Sequence, residues 1–592
     1  MQVTRDTFPA VFPKFVELLQ TCDFYAFDEE LTGINTAELP ETITDTPEES
    51  YRAKRAVASR YNIIQVGICL FHRDTTAAGA TPTRYVARPF NFLLFPHHAD
   101  DFTAEERSRD VVLSPSSLAF LRRHDMNFQS WVYQGMAYCD ARQEEALRSR
   151  HAEKCRELDR TRNAEKQEAQ RESLLTEDER AWYNNAVALA QAFVERVEAV
   201  LERAKGRNAG QTAGVVEVAA SVELIQSGGR DVFLPPQRGK SAREALERYI
   251  AQHCPALSLT FRRQGAAHIG MLRAVFPEER KRLLEKEQAL RERELVNMLG
   301  FRLVFNALVL SQKPCVGHNC FADLLFLVAT LDGPLPETLS EFKLRMQELF
   351  PTVFDTRYVA TRQAFFPVGR FGARYLSGFF GEYGFRSAHV HVTLPLGFES
   401  YDPLATGGGE RGHTSAGGEG GGPTHEAGYD ALLTGTLLLN LLAEMGGYEV
   451  ATAPECVVNR VALFRSLFAL RLGTPDVDEY LPESGVLELR HEKGVKMHHL
   501  DSCFTAISLC NVELYAVDET RTLAVLPPTW SELEPRGEQR NLGWLSTHMT
   551  SRFPQFFEAA VYQPAAAPLS AKGAFHTTPR ALMRLCIRAA QR

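Results

Sequence analysis

A block of dense mixed charge interrupts a regular alternation of strand and helix patterns in this 592-residue chain. Strand and helix patterns fill residues 1–145 and return over residues 296–455. Residues 141–180 are crowded with Arg, Lys, Glu and Asp, a composition typical of a solvated helix or connector. The pattern predicts one α/β domain whose two sequence halves flank an inserted module at residues 146–295.

The insert and the later part of the chain carry patterns of their own. Residues at about 230–275 predict a small α/β module within the insert. Before it, apolar residues spaced three and four apart from Val187 to Leu201 predict an amphipathic helix, whose apolar stripe packs in a core or against a partner helix. A glycine-rich stretch at 405–423 predicts a flexible surface loop. Beyond about residue 455 the composition changes again.

The bulk composition is that of an ordinary globular protein. With 44% hydrophobic and 24% charged residues, the chain can bury large cores. Its net charge of −8 argues against a generic nucleic-acid coat, although a local basic channel is compatible with it. Eleven cysteines without a Cys-x-x-Cys pair indicate free thiols in a reducing compartment. We see no secretory signal pattern and no apolar stretch long enough to span a bilayer, so we expect no membrane association.

The short motif with the clearest chemical meaning is Asp28-Glu29-Glu30, directly after an apolar strand-like run. Side chains alternate faces along a strand, so Asp28 and Glu30 should project to one side and Glu29 to the other. Neighbouring carboxylates repel each other unless a cation lies between them, and Mg²⁺ is commonly held by one or two carboxylates plus phosphate oxygens. The motif therefore predicts a metal site for phosphate chemistry if further carboxylates join it.

Two downstream segments offer such carboxylates. Asp323 follows a Val-Gly-His-Asn turn and lies near the beginning of an apolar helix, and Asp430 lies at the mouth of another, five residues after His425. Helix N-termini favour negative charge and phosphate, so a strand end and two helix starts can converge on one point. Each of these aspartates alone could be a helix cap. Together with Asp28 and Glu30 they form a set of four carboxylates that follow one another along the chain in the order Asp-x-Glu, Asp, Asp.

Two other patterns carry less weight. Residues 407–412 match the dinucleotide pattern G-x-G-x-x-G, but the pattern needs a strand before it and a helix after it, and here it runs on into more glycine. A nicotinamide-dependent enzyme would rest on that match alone. Cys315, His318 and Cys320 could bind zinc, but no second ligand cluster has suitable spacing.

The ordered acidic set resembles the DEDD superfamily of 3′→5′ exonucleases, in the subclass with a catalytic histidine. In the tyrosine subclass a Tyr lies four residues before the last Asp, where this chain has Glu426. More closely, the chain resembles the family of poly(A)-specific ribonucleases, which are deadenylases. The likeness extends over both halves of the predicted nuclease domain, at residues 23–34, 61–68, 90–96, 316–319, 334–336, 339–343 and 425–430.

The resemblance implies an α/β fold with an RNase H-like nuclease core, which is a mixed sheet flanked by helices. It implies that the inserted small α/β module is of a nucleic-acid-binding type. After a connector at 456–515, it implies an RNA-recognition-motif-like domain at 516–592, in which we expect the fourth strand to be missing.

The resemblance also implies the chemistry of the site. Two Mg²⁺ ions, with Mn²⁺ as an alternative, would bind Asp28, Glu30, Asp323 and Asp430, with His425 as general base. The remaining implied contacts are RNA at Ile34 and Lys343 and a 5′ cap at Trp530.

The implied substrate is single-stranded RNA with a 3′ poly(A) end, hydrolysed to 5′-AMP by a homodimer in the nucleus, the cytoplasm or both. One alternative is a nuclease that trims the 3′ ends of small non-coding RNA. Another is a non-catalytic RNA-binding protein, which would usually have lost a carboxylate, whereas all four are present here.

Overall fold

The structure is a computed structural model, and it divides the chain into two compact units. The first, here called the split unit, comprises Met1–Glu144 and Asn297–Arg592, and the second, the inserted unit, comprises Glu145–Val296. The glycine-rich stretch at 405–423 and His425 lie outside the described residues. The structure describes residues 1–36, 38–77, 82–96, 110–163, 175–362, 365–366, 370–371, 375–401, 426–474, 478–482, 485–510, 512–527, 530 and 541–564.

Strands and helices alternate along both halves of the split unit. The described strands are β1 (Gln2–Val3), β2 (Phe24–Leu31), β3 (Ile63–Arg73), β4 (Thr83–Leu93), β5 (Asp231–Phe233), β6 (Leu257–Gln264), β7 (Ala267–Ala274), β8 (Cys315–Gly317), β9 (Val353–Asp355), β10 (Val390–Thr393), β11 (Arg460–Ala462), β12 (Phe468–Arg471), β13 (Glu479–Tyr480), β14 (Val486–Arg490), β15 (Glu513–Ala516), β16 (Arg521–Val525) and β17 (Glu558–Val561). The described α-helices are α1 (Phe8–Thr21), α2 (Pro47–Arg60), α3 (Pro115–Arg123), α4 (Phe128–Gln134), α5 (Ala141–Asn163), α6 (Glu177–Arg207), α7 (Ala213–Gln226), α8 (Lys240–His253), α9 (Pro277–Leu299), α10 (Phe301–Ser311), α11 (Phe321–Leu327), α12 (Leu339–Leu349), α13 (Thr356–Thr361), α14 (Leu376–Gly381), α15 (Ala427–Gly446), α16 (Met497–Thr505) and α17 (Leu542–Arg552). Within this described part, no single helix has the length and composition to cross a membrane, and one bent pair of consecutive helices does.

The split unit is built on a mixed sheet of ten strands. Its central order is β4-β3-β2-β8-β9, with β3 antiparallel to both neighbours and β2, β8 and β9 parallel. This order and this single reversed strand are the RNase H-like arrangement implied by the resemblance, with helices such as α15 packed on the sheet. The predicted fold class of the nuclease core is confirmed.

Helix α15 places one functional segment against the sheet. It packs across β2, β3 and β4, and every residue from Ala427 to Leu442 except Asp430 is buried. Two glycines permit this close approach: a Cβ at Gly67 would overlap the Ala427 carbonyl, and one at Gly435 would overlap the Phe71 ring. The start of α15 is therefore pressed onto β3, beside the end of β2.

The predicted connector at residues 456–515 is wrong. Strands β11, β12 and β13 extend the nuclease sheet beyond β9, and β14, α16 and most of β15 already belong to the next domain. The three added strands are only two to four residues long, so they show too few alternating positions to be distinguished from loop in the sequence.

The C-terminal domain has the order of elements expected for an RNA-recognition motif but begins earlier than predicted. Its elements run β14-α16-β15-β16-α17-β17, and its antiparallel sheet has the order β15-β16-β14-β17. The expectation of a missing fourth strand is wrong, because β17 pairs with β14. The predicted boundary at residue 516 left β14 and α16 out of the domain, so one strand too few was expected.

The inserted unit has its own core. Helices α6, α7 and α8 pack with a three-stranded sheet of order β5-β7-β6. Ala190 and Val197 of the predicted apolar stripe are buried in this core, and Val187, Val194 and Leu201 pack against it. The stripe is therefore internal packing surface of the inserted unit.

Candidate active site

Three of the four predicted acidic residues meet at one point. Asp28 and Glu30 lie near the end of β2, and Asp430 lies in the first turn of α15. One carboxylate oxygen of each lies within 4.8 Å of the others. The alternation of side chains along β2 and the packing of α15 on the sheet bring these groups together.

Asp323 lies beside this cluster, in the first turn of α11. Its negative charge raises the pKa of Asp28 and of Glu30, which places its carboxylate within electrostatic range of both. Burial raises the pKa of Asp323 itself to about 7, while a backbone N–H and the charge of Lys54 act in the opposite direction. All four predicted carboxylates therefore belong to one electrostatic group.

The group is unfavourable as four bare anions. Burial is the largest cause that raises the pKa of Asp28, Glu30 and Asp430, and the charges of neighbouring carboxylates add to it. The pKa of Asp430 rises to about 7. The donors are all carboxylate oxygens, the ligand type that hard divalent cations such as Mg²⁺ and Mn²⁺ prefer. The residues present fit such a cation chemically and electrostatically.

Glu29 differs from its two neighbours. It is 7% exposed, and neither carboxylate oxygen has a hydrogen-bond partner among the described residues. Burial, then the charges of Asp323 and Asp28, raise its pKa. Alternation along β2 directs it away from Asp28 and Glu30. Glu29 is thus a buried acid on the opposite face of the strand.

The predicted RNA contacts occupy different environments. Ile34 follows β2 and is 52% exposed, so its side chain is accessible to a ligand. Lys343 lies in α12, is 1% exposed, and places its Nζ 2.5 Å from a carboxylate oxygen of Asp478. A phosphate could reach Lys343 only by displacing this ion pair. Both contacts stay predictions, and so does the role of His425, which lies outside the described residues.

Trp530 is largely buried rather than presented to solvent. It belongs to the core of the C-terminal domain, with side chains such as Leu526 and Leu545. It also lines a cleft of about 310 Å³ together with Trp544, His548 and Arg552. The Trp544 and His548 rings stack with centroids 4.8 Å apart and an interplanar angle of 10°. The more open aromatic group of this cleft is therefore Trp544, which the sequence interpretation missed.

Further residues at the nuclease site were also missed. The Tyr401 hydroxyl donates to the Glu426 carboxylate, and Glu426 is the N-cap residue of α15. The Ala427 N–H donates to Gln65 Oε1 at 3.4 Å. These contacts fix the start of the helix that carries Asp430. Lys54, on α2, is the cation whose charge acts on Asp323. Nothing in the sequence around Tyr401 or Lys54 pointed to either role.

Comparison with known proteins agrees with this geometry. The profile described as CAF1 family ribonuclease matches residues 3–438. The poly(A)-specific ribonuclease PARN of Xenopus laevis is 25% identical over 542 residues, covering 89% of this chain and 77% of that protein. The pre-piRNA 3′-exonuclease trimmer of Bombyx mori is 23% identical over 361 residues, covering 61% of this chain and 58% of that protein.

A solved structure of Pop2p from S. pombe, in a form with bound Mg²⁺ and Mn²⁺, covers 78% of this chain and 98% of its own, at 12% identity and a TM-score of 0.32. The family profile spans both halves of the split unit and all four acidic residues. The predicted resemblance to DEDD exonucleases is confirmed, and the chain belongs to the CAF1 family of ribonucleases.

Proposed function

We propose that this chain is a Mg²⁺-dependent 3′→5′ exoribonuclease that removes poly(A) tails from RNA and releases 5′-AMP. The observation that carries the proposal is the convergence of Asp28, Glu30 and Asp430 within 4.8 Å, with Asp323 beside them. The name of the Xenopus laevis relative, a poly(A)-specific ribonuclease, supports adenine tails as the substrate.

Each site residue then has a defined task. Two divalent cations, Mg²⁺ or Mn²⁺, would supply an activated water and offset the charge on the leaving 3′-oxygen. Asp28, Glu30, Asp323 and Asp430 would hold these cations. Burial keeps bulk water from competing for the carboxylates and strengthens their electrostatic interactions.

In this proposal His425, which precedes the start of α15 by two residues, takes the proton of the attacking water, as the resemblance to the histidine subclass implies. His425→Asn should slow hydrolysis roughly 10²–10⁴-fold, the usual contribution of a general base. Higher pH should restore part of the rate, because hydroxide replaces the missing base. A variant as fast as the wild type at neutral pH would remove His425 from the mechanism.

The experiment is a digest of RNAs that share one body and end in A, U, C or G tails, in Mg²⁺, with products identified. Rapid loss of the A tail alone, with 5′-AMP as product, supports deadenylation. A tail that ends in a 3′-phosphate should resist, and circular RNA should stay intact. Internal cuts in circular RNA contradict an exonuclease, and the Asp28→Ala protein is the matched inactive control.

Trimming of small non-coding RNA is the second candidate, favoured by the similarity to the Bombyx mori trimmer. The same digest separates the two activities. Equal rates on all four tails, with hydrolysis that continues into the RNA body, favour trimming over deadenylation.

The C-terminal domain is proposed to bind a 5′ cap in the cleft lined by Trp530 and Trp544. A methylated guanine carries positive charge and stacks on an indole, with a gain of roughly 1–3 kcal/mol. Trp544→Ala should lower cap affinity with little loss of stability. Trp530→Ala should cost roughly 3–5 kcal/mol of stability, because it removes a core side chain. Unchanged cap affinity in Trp544→Ala would exclude the cleft.

We further propose a homodimer, formed through the nuclease core, in the nucleus, the cytoplasm or both. The cysteines in the described ranges are free thiols, which supports a reducing compartment. Sedimentation at micromolar concentration tests the assembly. A species with the mass of one chain contradicts the dimer.

A further inference from the structure

Lys54 lies in the middle of α2, and this helix packs against α11, the helix that carries Asp323. Its Nζ is 2.6 Å from a Glu41 carboxylate oxygen and 3.4 Å from the Ile34 carbonyl oxygen. The side chain is 11% exposed. Its positive charge lowers the pKa of Asp323, so the ammonium lies within electrostatic range of that carboxylate. Lys54 thus connects the exposed segment at Ile34 with the acidic residues.

Helix α2 holds this lysine on a rigid support. The helix begins with a capping box, in which Thr46 and Glu49 each bond the other's backbone N–H. The Tyr51 hydroxyl donates to the Pro336 carbonyl at 2.7 Å, and Arg55 pairs with Glu337 at 2.5 Å. These contacts fix α2 on both sides of Lys54.

A cation near the acidic cluster can contact the RNA backbone, because each nucleotide adds a negatively charged phosphate. The lysine implied by the resemblance, Lys343, is held at 2.5 Å by Asp478 and is 1% exposed. An ammonium has three donors. Within the described residues, the Lys54 ammonium donates one hydrogen bond to the Glu41 carboxylate and one to the Ile34 carbonyl. Its third N–H group can therefore donate to a ligand.

We propose that Lys54 binds a backbone phosphate of the RNA beside the scissile one, and that Glu41 holds the ammonium in place before substrate arrives. This inference rests on the proposed nuclease function and names a contact for it. The phosphate would lie near the exposed Ile34, whose carbonyl oxygen accepts from Lys54. Because the contact is to phosphate, it is independent of the base.

A purely structural role would give a different result. In that case Lys54 would only tie residues 34–41 to α2, through Glu41 and the Ile34 carbonyl. Loss of the lysine would then lower stability or kcat, but it would not change how binding responds to salt. A phosphate contact releases counterions, so its loss reduces the salt dependence of binding.

The experiment compares Lys54→Met, Lys54→Arg and Glu41→Gln with the wild type on oligo(A), over a series of salt concentrations. For Lys54→Met we expect KM to rise roughly tenfold or more, with a smaller change in kcat. The slope of log KM against log salt should fall by about 0.7. Lys54→Arg should recover most of the slope, and Glu41→Gln should keep it because the ammonium remains.

Lys14→Met is the matched control, since Lys14 pairs with Glu17 at 2.9 Å on an exposed face of α1. It should leave KM and the slope unchanged. A wild-type slope in Lys54→Met overturns the inference, and so does an equal change in Lys14→Met.

Failure of the proposed function is distinguishable from failure of this inference. Equilibrium binding of oligo(A) to the Asp28→Ala protein, with and without Lys54→Met, measures the salt slope without catalysis. Absence of RNA hydrolysis by the wild type contradicts the nuclease function. An unchanged binding slope contradicts the role of Lys54 alone.

Discussion

Asp355 and Asp28 are acidic residues in the same sheet, on β9 and β2; Asp355 is fully buried, Asp28 is half-buried, and their surroundings differ. Asp355 ends its strand with no exposed surface. Its two oxygens accept backbone N–H groups of Asn319, Arg357, Tyr358 and Ala462, at 2.8, 2.9, 3.3 and 3.0 Å. These bonds oppose the rise that burial causes in the pKa of Asp355. The protein itself supplies the donors that this carboxylate needs.

Asp28 faces other acids instead. After burial, the causes that raise its pKa are the charges of Asp430, Asp323 and Glu30. A carboxylate surrounded by N–H groups stabilises the fold, whereas carboxylates that face one another weaken it until a cation arrives. Burial alone therefore does not distinguish a structural acid from a functional one. The identity of the nearest charged or donor groups does.

Removal of one metal ligand should have the largest effect. Asp28→Asn or Asp430→Asn removes a charge that holds the cations in the proposed function, and such cations contribute several kcal/mol of transition-state stabilisation. We expect kcat in Mg²⁺ to fall by roughly 10³-fold or more. Unfolding without metal should show equal or greater stability than the wild type. A variant with near wild-type turnover would remove that residue from the metal site.

Asp355→Ala should lower the stability of the fold while leaving kcat nearly unchanged, the reverse of what we expect for Asp28→Asn. It leaves four backbone N–H groups without their acceptor, and each unsatisfied buried group costs about 1–3 kcal/mol. We expect urea denaturation to show a loss of several kcal/mol, while kcat per folded molecule changes less than about tenfold. Asp355→Asn, which keeps one carbonyl acceptor, should lose less. A variant as stable as the wild type would contradict the interpretation that Asp355, unlike Asp28, stabilises the fold.

The stability of the metal-free protein should depend on pH because the acidic cluster titrates. The pKa values of Asp323 and Asp430 are raised to about 7 in the folded state from a usual value of 3.8. Folded protein then binds more protons than unfolded protein between these values, so stability is greatest at low pH and is lost as pH rises through about 7. With EDTA, Tm should therefore fall between pH 5 and pH 8.

Mg²⁺ should raise Tm more at the higher pH, because protons compete with the cation for the carboxylates. Asp430→Asn is the matched control and should show a shallower pH dependence without metal. An EDTA profile that is flat or rises with pH, or one identical in the control, contradicts the electrostatic account of the cluster.

Glu29→Gln should have the smallest effect. Glu29 lies next to the ligands but faces the other side of β2, and its buried oxygens lack partners among the described residues. Replacing the acid with a neutral amide should raise the stability of the metal-free protein by about 1 kcal/mol and leave kcat within a few fold. Loss of activity as large as that of Asp28→Asn would make Glu29 a metal ligand.

The acidic cluster could be predicted from local patterns and the resemblance together. Alternation placed Asp28 and Glu30 on one side of a strand, and Asp323 and Asp430 lie in the first turns of apolar helices. The resemblance of this ordered set to a known family then indicated that the four carboxylates meet. The RNase H-like core followed from the resemblance that these residues carry.

What the sequence did not predict depends on contacts between distant segments. Lys54 is one of several charged residues on α2, and only the packing of that helix directs it to Asp323. The residues beside Trp530 in the sequence do not show whether its side chain is exposed or buried. Packing in the core of the C-terminal domain determines that it is buried. Strands as short as Glu479–Tyr480 exist only because β12 offers an edge to pair with.

The pairing of β2 with β8 also sets the order in which the protein can mature during synthesis. Tyr25 pairs with Cys315, so the central strand, which pairs with β3 on one edge, receives the partner for its other edge roughly 290 residues later. At about 5–20 residues per second, the ribosome needs roughly 15–60 s to deliver it. The inserted unit, which has its own core, emerges in that interval and can fold first. Asp430 arrives later still, so a nascent chain carries an incomplete set of the four clustered acids for most of its translation.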